Sequence, residues 1–532
     1  MQARPADHWF TRIATAAPAL AIVATCGGGG DVLAESERAQ AFGAAPAVAI
    51  KSYGPNAISI WSEIAFVTTQ VPPSPAGATP SERITGPDLA TVQLAVYDAV
   101  IAIAGTHKPY AIKPSTPTAG ASMDAAAIEA AYRALKGLFP SRGDKYEAAY
   151  ASGIGALPNG DAKARGMAIG AEVAAGMLAL RANDGRETLL PAYVPGTLPG
   201  QFRPAGPNLV GRLNPYIRPF ATNNHAQFRP GPPPALDSAG YAVDLNEVKA
   251  IAGTTSTLRT AEQTEVARFF TEPPASWNWR NRVRLAMASP SLADNARLTA
   301  MLEVTVVDAI GACFDAKYAY NFWRPTSAIR LADTDSNPAT EADPGWTPFV
   351  STPNHPEYPA AHGCNDGAIA ELIHGFYGTK RVSFAFDSTV TSTTHQYHGT
   401  DDLVHDVSNG RVWGGMHFRN STVVGAELGK AVAKWVAKRH FQPVAAASAS
   451  PPRQSALLDY RLVRSGFDHM PEASLKAFFI RCSREATRRM ISLDEGAMCA
   501  VAQDVLKARS FGGKFDALLA WWRNHRDDLV DQ

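Results

Sequence analysis

Apolar residues recur at helical spacing along most of the chain, and no other pattern in the sequence restricts the fold as strongly. An amphipathic helix places an apolar residue every three to four positions, whereas a half-buried strand alternates apolar and polar residues. Alternating, β-branched stretches are scarce, so the sequence predicts an all-α fold whose helices pack as bundles around shared cores. The clearest helical segments are Asp88–Ala104, Ala125–Phe139, Ala162–Ala182, Ser291–Asp315, Asp366–Phe376 and Ser421–Trp435.

The overall charge balance excludes some classes of partner. The 532 residues carry a formal net charge of +1, and 46% of them are hydrophobic, which is ordinary for a globular protein. A chain with so small a net charge has no general attraction for nucleic acid or for an anionic membrane surface. The sequence therefore predicts no nucleic-acid partner, and any positive charge that matters must be local.

Two changes in composition divide the chain. Gly and Pro cluster in Leu190–Pro234, which we expect to form a surface excursion or a lid over the helices. Gln442–Pro452 has the small, proline-containing composition of a linker. We therefore predict a helical domain over residues 50–441, a linker over 442–452 and a helical C-terminal extension of unknown role over 453–532.

Residues 1–30 are predicted to form an export signal. Arg4 and Arg12 precede an apolar, alanine-rich run that ends at Thr25 and is too short to span a bilayer. Cys26 and the four glycines after it resemble a lipidated cysteine with a flexible tether. Thr25 is larger than the residue that usually precedes such a cysteine, so simple cleavage is the alternative, and a disordered tail is a third. The expected location is periplasmic, secreted or lipid-anchored in a bacterium.

Four further cysteines are too scattered to indicate a disulfide framework. Cys482 and Cys499 lie in the same C-terminal segment, so this pair could form a bond in an oxidising compartment. None of the four belongs to a zinc-binding pattern.

Three short segments carry cations and imidazoles at spacings that suit the capture of one tetrahedral oxyanion. The first, KYAYNFWRP, holds Lys317 and Arg324 seven residues apart. On one continuous helix these two side chains would share a face, and Pro325 would end that helix. A solvated basic stripe is the alternative, but the aromatic residues between the two cations favour burial.

The second segment, PAAHG, is followed by a helical pattern and places His362 at or just before a helix N-terminus. Free amides of Ala361, His362 and Gly363, together with the helix dipole, would favour an anion there. The imidazole could then handle a proton. A histidine that only caps the helix is the alternative.

The third segment, RVWGGMH, separates Arg411 from His417 by six residues. On one continuous helix this spacing would point the two side chains to nearly opposite sides. A break in the helix at Gly414 and Gly415 would allow both to turn inward.

In this order and within a helical body, the three segments resemble the signature of the vanadium-dependent haloperoxidase and type 2 phosphatidic acid phosphatase superfamily. That signature reads Lys-six residues-Arg-Pro, then Pro-Ser-Gly-His, then Ser-Arg-five residues-His. The likeness extends from about Ile58 to about Lys438 and looks closest to bacterial haloperoxidase-like proteins.

The resemblance implies a cofactor, residue roles and an activity. Vanadate, or phosphate in the same pocket, would have His417 as its axial ligand. Lys317, Arg324 and Arg411 would neutralise its oxygens, and His362 would be the acid–base group. The expected substrates are hydrogen peroxide, a halide and an organic acceptor. A phosphatase would use the same residues, with His417 attacking phosphorus, and a non-catalytic oxyanion-binding protein is the third hypothesis.

The sequence departs from the signature at two hydroxyl positions. Ala360 and Ala361 stand where the signature has Ser and Gly, and Gly410 stands where it has Ser. Each missing hydroxyl removes a charge-assisted hydrogen bond that is typically worth roughly 1.5–3 kcal/mol. These losses predict weaker retention of vanadate.

His355 bears on the halide. It lies seven residues before His362, where the resemblance associates His with bromination and Phe with chlorination. This implies bromide or iodide rather than chloride, although a histidine beside two prolines could simply cap a turn. Helical relatives often assemble, so a homo-oligomer is a further implication.

One other segment, HQYHGTDDLVHD, contains enough donors to be considered as a metal site. Its histidine spacing fits no usual zinc helix, and the glycine followed by two aspartates favours a turn and a helix cap. The residues concerned are His395, His398, Asp401, Asp402, His405 and Asp406.

Overall fold

The computed structural model describes residues 48–50, 55–70, 85–271, 274–287, 289–444, 464, 467–488 and 493–525. The predicted export signal, Cys26 and nearly all of the predicted linker lie outside these residues. The chain divides into two compact units, Met1–Gln442 and Pro443–Gln532. The boundary between them falls at the start of the predicted linker.

The first unit is built from helices, which confirms the all-α prediction. Its described helices are α1 (Ala57–Thr69), α2 (Thr85–Ala104), α3 (Met123–Leu138), α4 (Gly143–Ala156), α5 (Asp161–Arg181), α6 (Ala239–Ile251), α7 (Ala261–Phe269), α8 (Pro274–Ala286), α9 (Leu292–Tyr320), α10 (Pro325–Arg330), α11 (Ala361–Tyr377), α12 (Thr400–Trp413) and α13 (Arg419–Arg439). A small sheet joins β1 (Val48–Ala49), β2 (Val382–Asp387) and β3 (Thr394–Tyr397). In it β1 is parallel to β2, and β2 is antiparallel to β3.

All six predicted helical segments correspond to observed helices, namely α2, α3, α5, α9, α11 and α13. Helix α2 is long and apolar enough to cross a membrane, but 83% of its most apolar window is buried inside the protein. It is therefore a core helix, and it packs against α3 and α9. Several of the remaining helices are short or mostly exposed, and α4 buries only Tyr146, so their apolar periodicity is weak.

Helices α11 and α13 lie very close together because small residues line their contact. A Cβ atom on Gly363 would lie 2.7 Å from the carbonyl oxygen of Thr422, and one on Gly425 would lie 2.6 Å from that of Ala360. Larger side chains would therefore force the two helices apart. A hydrogen bond from Ala360 N to the Ser421 carbonyl, 2.9 Å long, fixes the start of one helix against the start of the other.

The Pro/Gly-rich segment 190–234 has little regular structure, as predicted, and it is anchored along α9. Asp308 of α9 accepts hydrogen bonds from the backbone amides of Phe220, Ala221 and Thr222, at 2.7–2.8 Å. Gln201 pairs with Phe322 just beyond the end of α9. The segment therefore covers the helix that carries Lys317.

The second unit contains α14 (Glu472–Arg488), α15 (Leu493–Ser510) and α16 (Phe515–His525). Phe467, Leu475, Leu506 and Leu518 contribute to its buried apolar core. Cys482 and Cys499 form a disulfide, which confirms the pairing that the sequence suggested.

A second disulfide joins Cys313 and Cys364, so the prediction that the scattered cysteines form no framework was wrong for this pair. The two residues are 51 positions apart in sequence. They meet because α9 and α11 pack against each other. The bond ties the helix that carries Lys317 to the helix that carries His362.

Removing this disulfide should destabilise the first unit. We expect the double variant C313A/C364A to unfold at a lower temperature, because a cross-link over this separation removes roughly 4 kcal/mol of denatured-state entropy in the simplest treatment. Differential scanning calorimetry measures the change. The control is C482A/C499A, which removes the disulfide of the other unit, where the two cysteines are 17 residues apart. An unchanged unfolding temperature for C313A/C364A would contradict a stabilising role.

Candidate oxyanion site

The structure brings the predicted cations and imidazoles together in the interior of the first unit. Lys317, Arg324 and Arg411 are 0%, 1% and 2% exposed, and His362 and His417 are 9% and 1% exposed. Long charged side chains are rarely buried to this extent unless they are paired or hold a ligand.

Lys317 and Arg324 do not lie on one helix, so that part of the prediction was wrong. Helix α9 ends at Tyr320, where Asn321 adopts the left-handed conformation (φ 49°) and caps it. Arg324 has an extended backbone and precedes Pro325, the first residue of α10. Proline is favoured at the first position of a helix, because its fixed φ suits the helix and its missing N–H is not needed there. Pro325 therefore begins a helix instead of ending one.

Lys317 and Arg324 nevertheless converge, because both donate to the backbone of residues 355–357. Lys317 Nζ donates to the carbonyl oxygens of Pro356 (3.0 Å) and Glu357 (2.9 Å). Arg324 Nε donates to the carbonyl oxygen of His355 (2.9 Å). The segment that leads to the second motif thus holds both cations of the first.

His362 is the second residue of α11, as predicted. Ala360, the residue that caps this helix, has no side-chain acceptor for the first amides. The amides of Ala361, His362 and Gly363 therefore begin a 17-residue helix without intrahelical acceptors, and the helix dipole favours negative charge there. Burial, and then the charge of Arg411, lowers the pKa of His362 well below its usual value. Its imidazole is therefore neutral and can accept a proton.

Arg411 and His417 turn inward as predicted, because the helix breaks at the two glycines. Arg411 lies in the last turn of α12, and Gly415 has a φ of 80°, which disfavours any residue with a side chain. Arg411 Nη1 donates to the carbonyl oxygen of Phe270 at 2.9 Å. Its Nε is buried and has no hydrogen-bond partner within the described part of the chain. This guanidinium therefore has capacity for a further acceptor.

Glu357 is a site residue that the motifs do not predict. Its side chain is completely buried, and Oε1 accepts hydrogen bonds from His417 Nδ1 (2.9 Å) and from the backbone amide of Phe418 (3.0 Å). Oε2 accepts a hydrogen bond from Ser421 Oγ at 2.5 Å. Burial raises the pKa of Glu357 to about 7, although Ser421 and the nearby cations act in the opposite direction. An acidic residue within the apolar sequence HPEYP was the available signal.

The hydrogen bonds of His417 define its tautomer. Its Nε2 lies 3.0 Å from Arg324 Nη1, and a guanidinium only donates, so Nε2 must be the acceptor. Nδ1 then carries the proton that is donated to Glu357. Burial, and then the charge of Arg324, lowers the pKa of His417 well below its usual value, so the ring is neutral. The single lone pair of Nε2 accepts the hydrogen bond of Arg324 Nη1, and a ligand bound to Nε2 would replace that hydrogen bond.

His355, which the resemblance connects with the halide, also lies in the site. Arg324 Nη2 is 3.0 Å from its Nδ1 and 3.3 Å from its Nε2. Nδ1 is also 3.0 Å from the carbonyl oxygen of Pro356, which can only accept. The ring therefore lies within hydrogen-bond distance of both the guanidinium and this carbonyl. His355 is buried and helps to position the guanidinium.

Positive charge in the site is incompletely compensated. Burial lowers the pKa of Lys317 well below its usual value, that of Arg324 to about 10 and that of Arg411 to about 9. The nearby carboxyl groups are Glu357 and Asp366, and burial raises the pKa of Asp366 to about 8. A bound anion with two or more charges would offset the cost of burying these cations.

Packing explains why Gly410 replaces the serine of the signature. A Cβ atom at this position would lie 2.7 Å from Phe270 Cδ2 and 3.0 Å from the carbonyl oxygen of Val266. Serine would therefore require Phe270 to move, and the carbonyl of Phe270 holds Arg411. The close approach of α7 to α12 excludes a side chain here.

The HQYHGTDDLVHD segment does not gather its donors around one point. His395 Nδ1 lies 2.7 Å from Asp406 and its Nε2 lies 2.9 Å from Glu265, while its ring stacks on Phe269. Burial lowers the pKa of His395, but the hydrogen bonds to the two carboxylates outweigh this effect and raise it. Gly399 caps α12, with aspartates in its first turn, as predicted. The described residues contain no cluster of three or more His, Cys, Asp or Glu side chains that could hold a metal ion.

Fold and site together define a helical protein with a buried cluster of cations and imidazoles, and comparison with known proteins agrees with this class. Residues 297–445, which contain all three motifs, match the family model described as the VCPO second helical-bundle domain. Over 103 residues the chain is 31% identical to the vanadium chloroperoxidase of Curvularia inaequalis. That alignment covers 18% of this chain and 16% of the length of that relative.

Two solved structures have a similar fold. A bacterial vanadium-dependent iodoperoxidase superposes with a TM-score of 0.59 at 22% identity, over 74% of this chain and 100% of the other. A holo-type bacterial vanadium-dependent chloroperoxidase superposes with a TM-score of 0.56 at 15% identity, over 73% and 98% of the two chains. The match over residues 297–445 and the identity to the curated relative support the resemblance to the vanadium-dependent haloperoxidase superfamily that the three motifs predicted. The two solved structures show that the fold is shared.

Restoring the serine of the signature at position 410 should weaken anion binding. We expect Gly410→Ser to displace Phe270 and with it Arg411, and to cost roughly 1–3 kcal/mol of stability, as overpacking usually does. Calorimetric titration with orthovanadate and thermal unfolding measure the two effects. Ala360→Ser is the comparison, because it adds a hydroxyl to a Cβ that already exists. Tighter binding by Gly410→Ser at an unchanged unfolding temperature would contradict this explanation.

Proposed function

We propose that this protein is a vanadium-dependent haloperoxidase that oxidises halide with hydrogen peroxide to a hypohalous acid equivalent. One observation carries the proposal: Lys317, Arg324 and Arg411 are buried with incomplete compensation of charge, and Arg324 contacts a neutral histidine whose Nε2 keeps its lone pair. A polyanion that also accepts a nitrogen ligand fits both features, and vanadate is such an anion.

The donor set suits this cofactor. His417 would hold vanadate through Nε2, while Lys317, Arg324 and Arg411 would neutralise its oxygens. The amides of Ala361 and Gly363, at the start of α11, would add uncharged donors. The buried, unpartnered Nε of Arg411 is a donor that such an anion would satisfy.

Bound vanadate supplies a Lewis acid that activates hydrogen peroxide towards halide with no redox change of the metal. The protein supplies the positioning and the proton transfers. His362 is neutral, so one of its ring nitrogens can take a proton from the incoming peroxide and return it as product forms. Lys317 uses two of its three donors on backbone carbonyls, which fixes its ammonium group, and the third donor would be directed to a bound anion. Burial of the site excludes water from these charges.

We further propose bromide or iodide as the halide, and export as the location. His355 supports the first proposal, because it places a polar ring rather than a phenyl ring beside Arg324. The two disulfides support the second, since such bonds persist mainly in oxidising compartments.

A phosphatase is the second candidate, and one observation favours it. A neutral imidazole with a carboxylate on Nδ1 and a lone pair on Nε2 is also the arrangement of a nitrogen nucleophile. His417 would then attack phosphorus, and His362 would protonate the leaving group. The missing hydroxyls at Ala360 and Gly410 favour a third candidate, an oxyanion-binding protein without catalysis.

Activity assays on the full chain separate the three. With orthovanadate, hydrogen peroxide and bromide, we expect halogenation of a phenol dye that excess phosphate suppresses. Arg411→Ala should lower the rate roughly 10²–10³-fold, because it removes one preorganised charge from the site, and His417→Ala should abolish it. His405→Ala, which alters an exposed histidine on the same helix as Arg411, should leave it unchanged.

The other outcomes identify the alternatives. Release of phosphate from p-nitrophenyl phosphate without vanadate, in the absence of bromination, would select the phosphatase. Silence in both assays, with anion binding retained, would select the non-catalytic protein. Bromination that survives in His417→Ala would contradict the assigned ligand.

A further inference from the structure

Glu357 connects parts of the candidate site that are distant in sequence. Its carboxylate accepts a hydrogen bond from Nδ1 of His417, which is 60 residues away in sequence, at 2.9 Å. Its backbone carbonyl oxygen accepts one from Nζ of Lys317, which is 40 residues away, also at 2.9 Å. The side chain is completely buried, so water does not compete for these bonds. One residue therefore orients both the ligand histidine and one of the cations.

We propose that Glu357 is the positioning residue that holds His417 as the Nδ1–H tautomer and so presents the Nε2 lone pair to the bound oxyanion. The identity of that anion rests on the proposed function. The orientation itself rests on contacts that exist without it. Neither the motifs nor the comparisons assign a role to this glutamate.

The opposite tautomer would create two unfavourable contacts. With the proton on Nε2, two donors would face each other across 3.0 Å at Arg324 Nη1. With Glu357 ionised, the Nδ1 lone pair would then face its carboxylate oxygen at 2.9 Å, with no hydrogen between them. A single proton on Nδ1 satisfies both contacts.

The carboxylate also strengthens Nε2 as a ligand. A carboxylate that accepts the other ring N–H of a ligating histidine fixes the ring and increases the basicity of the ligating nitrogen, and its loss typically costs 10–100-fold in affinity. The same Oε1 accepts the amide of Phe418, which precedes α13. Glu357 therefore has a structural role as well, and a test must separate the two roles.

The tautomer can be measured in the full chain without any anion. In protein labelled with ¹⁵N-histidine, long-range proton–nitrogen correlations distinguish Nδ1–H from Nε2–H, and the signals of His417 are those lost in His417→Gln. We expect Nδ1–H for His417 in the wild type. An Nε2–H tautomer would overturn the inference, whether or not the protein binds vanadate.

Affinity supplies the second readout. We expect Glu357→Gln to bind orthovanadate 10–100-fold more weakly than the wild type in calorimetric titrations. The matched control is Asp308→Asn, which neutralises another completely buried carboxylate that accepts three amides but does not contact the site residues. It should bind within about threefold of the wild type.

The outcomes of the two measurements are distinct. Wild-type affinity in a folded Glu357→Gln variant would overturn the positioning role. Equal losses in Glu357→Gln and Asp308→Asn would also overturn it, because they would indicate a general effect on the fold. If the wild type does not bind vanadate, the proposed function fails, while the tautomer still decides the inference. If Glu357→Gln does not fold, the wild-type tautomer again decides.

Discussion

Burying three cations in one small volume is the constraint on which the rest of this structure depends. The effective penalty for removing an ion from water is several kcal/mol after relaxation, and like charges add to it. Lys317 and Arg324 recover part of this cost through backbone carbonyl oxygens, and Arg411 through one such oxygen. Burial lowers the pKa of all three groups, and the neighbouring cations lower those of Lys317 and Arg411 further. This remaining cost is the physical basis for the proposed binding of an anion.

Specific contacts between the helices hold the residues of the site in place. Glycines at the contact of α11 and α13 allow the backbones to approach closely, so the amides that begin α11 lie beside the segment that carries His417. The disulfide between Cys313 and Cys364 joins α11 to α9. The proline-rich excursion is tied to α9 through Asp308. Rigid packing thus keeps side chains from three distant motifs at a fixed separation.

Much of the fold could be predicted, because strong apolar periodicity is a local property. The six long amphipathic segments form helices. The helix that carries Arg411 ends at Gly414 and Gly415, as the glycine pair indicated, so that Arg411 and His417 can both face the interior. The position of His362 was also predictable, since small residues and prolines precede an apolar repeat. These signals reside in short stretches of sequence.

Tertiary structure decided what could not be predicted. The left-handed conformation of Asn321 ends α9 before Arg324, and no local pattern distinguishes this from a helix that continues to Pro325. The bond between Cys313 and Cys364 depends on two helices packing together across 51 residues. The role of Glu357 could not be predicted, because its contact with His417 joins residues that are 60 positions apart and depends on the folded structure.

The central claim is that the buried cations bind one oxyanion. The number of vanadate ions bound per chain, and their displacement by phosphate, test it most directly. Isothermal titration of the full chain with orthovanadate, repeated in the presence of inorganic phosphate, measures both. We predict that one vanadate binds per chain, that phosphate displaces it, and that replacing buried Lys317 by Met abolishes binding. Replacing exposed Lys380 by Met should have no effect. Absence of binding, or binding that the Lys317→Met variant retains, would contradict a buried receptor for an oxyanion.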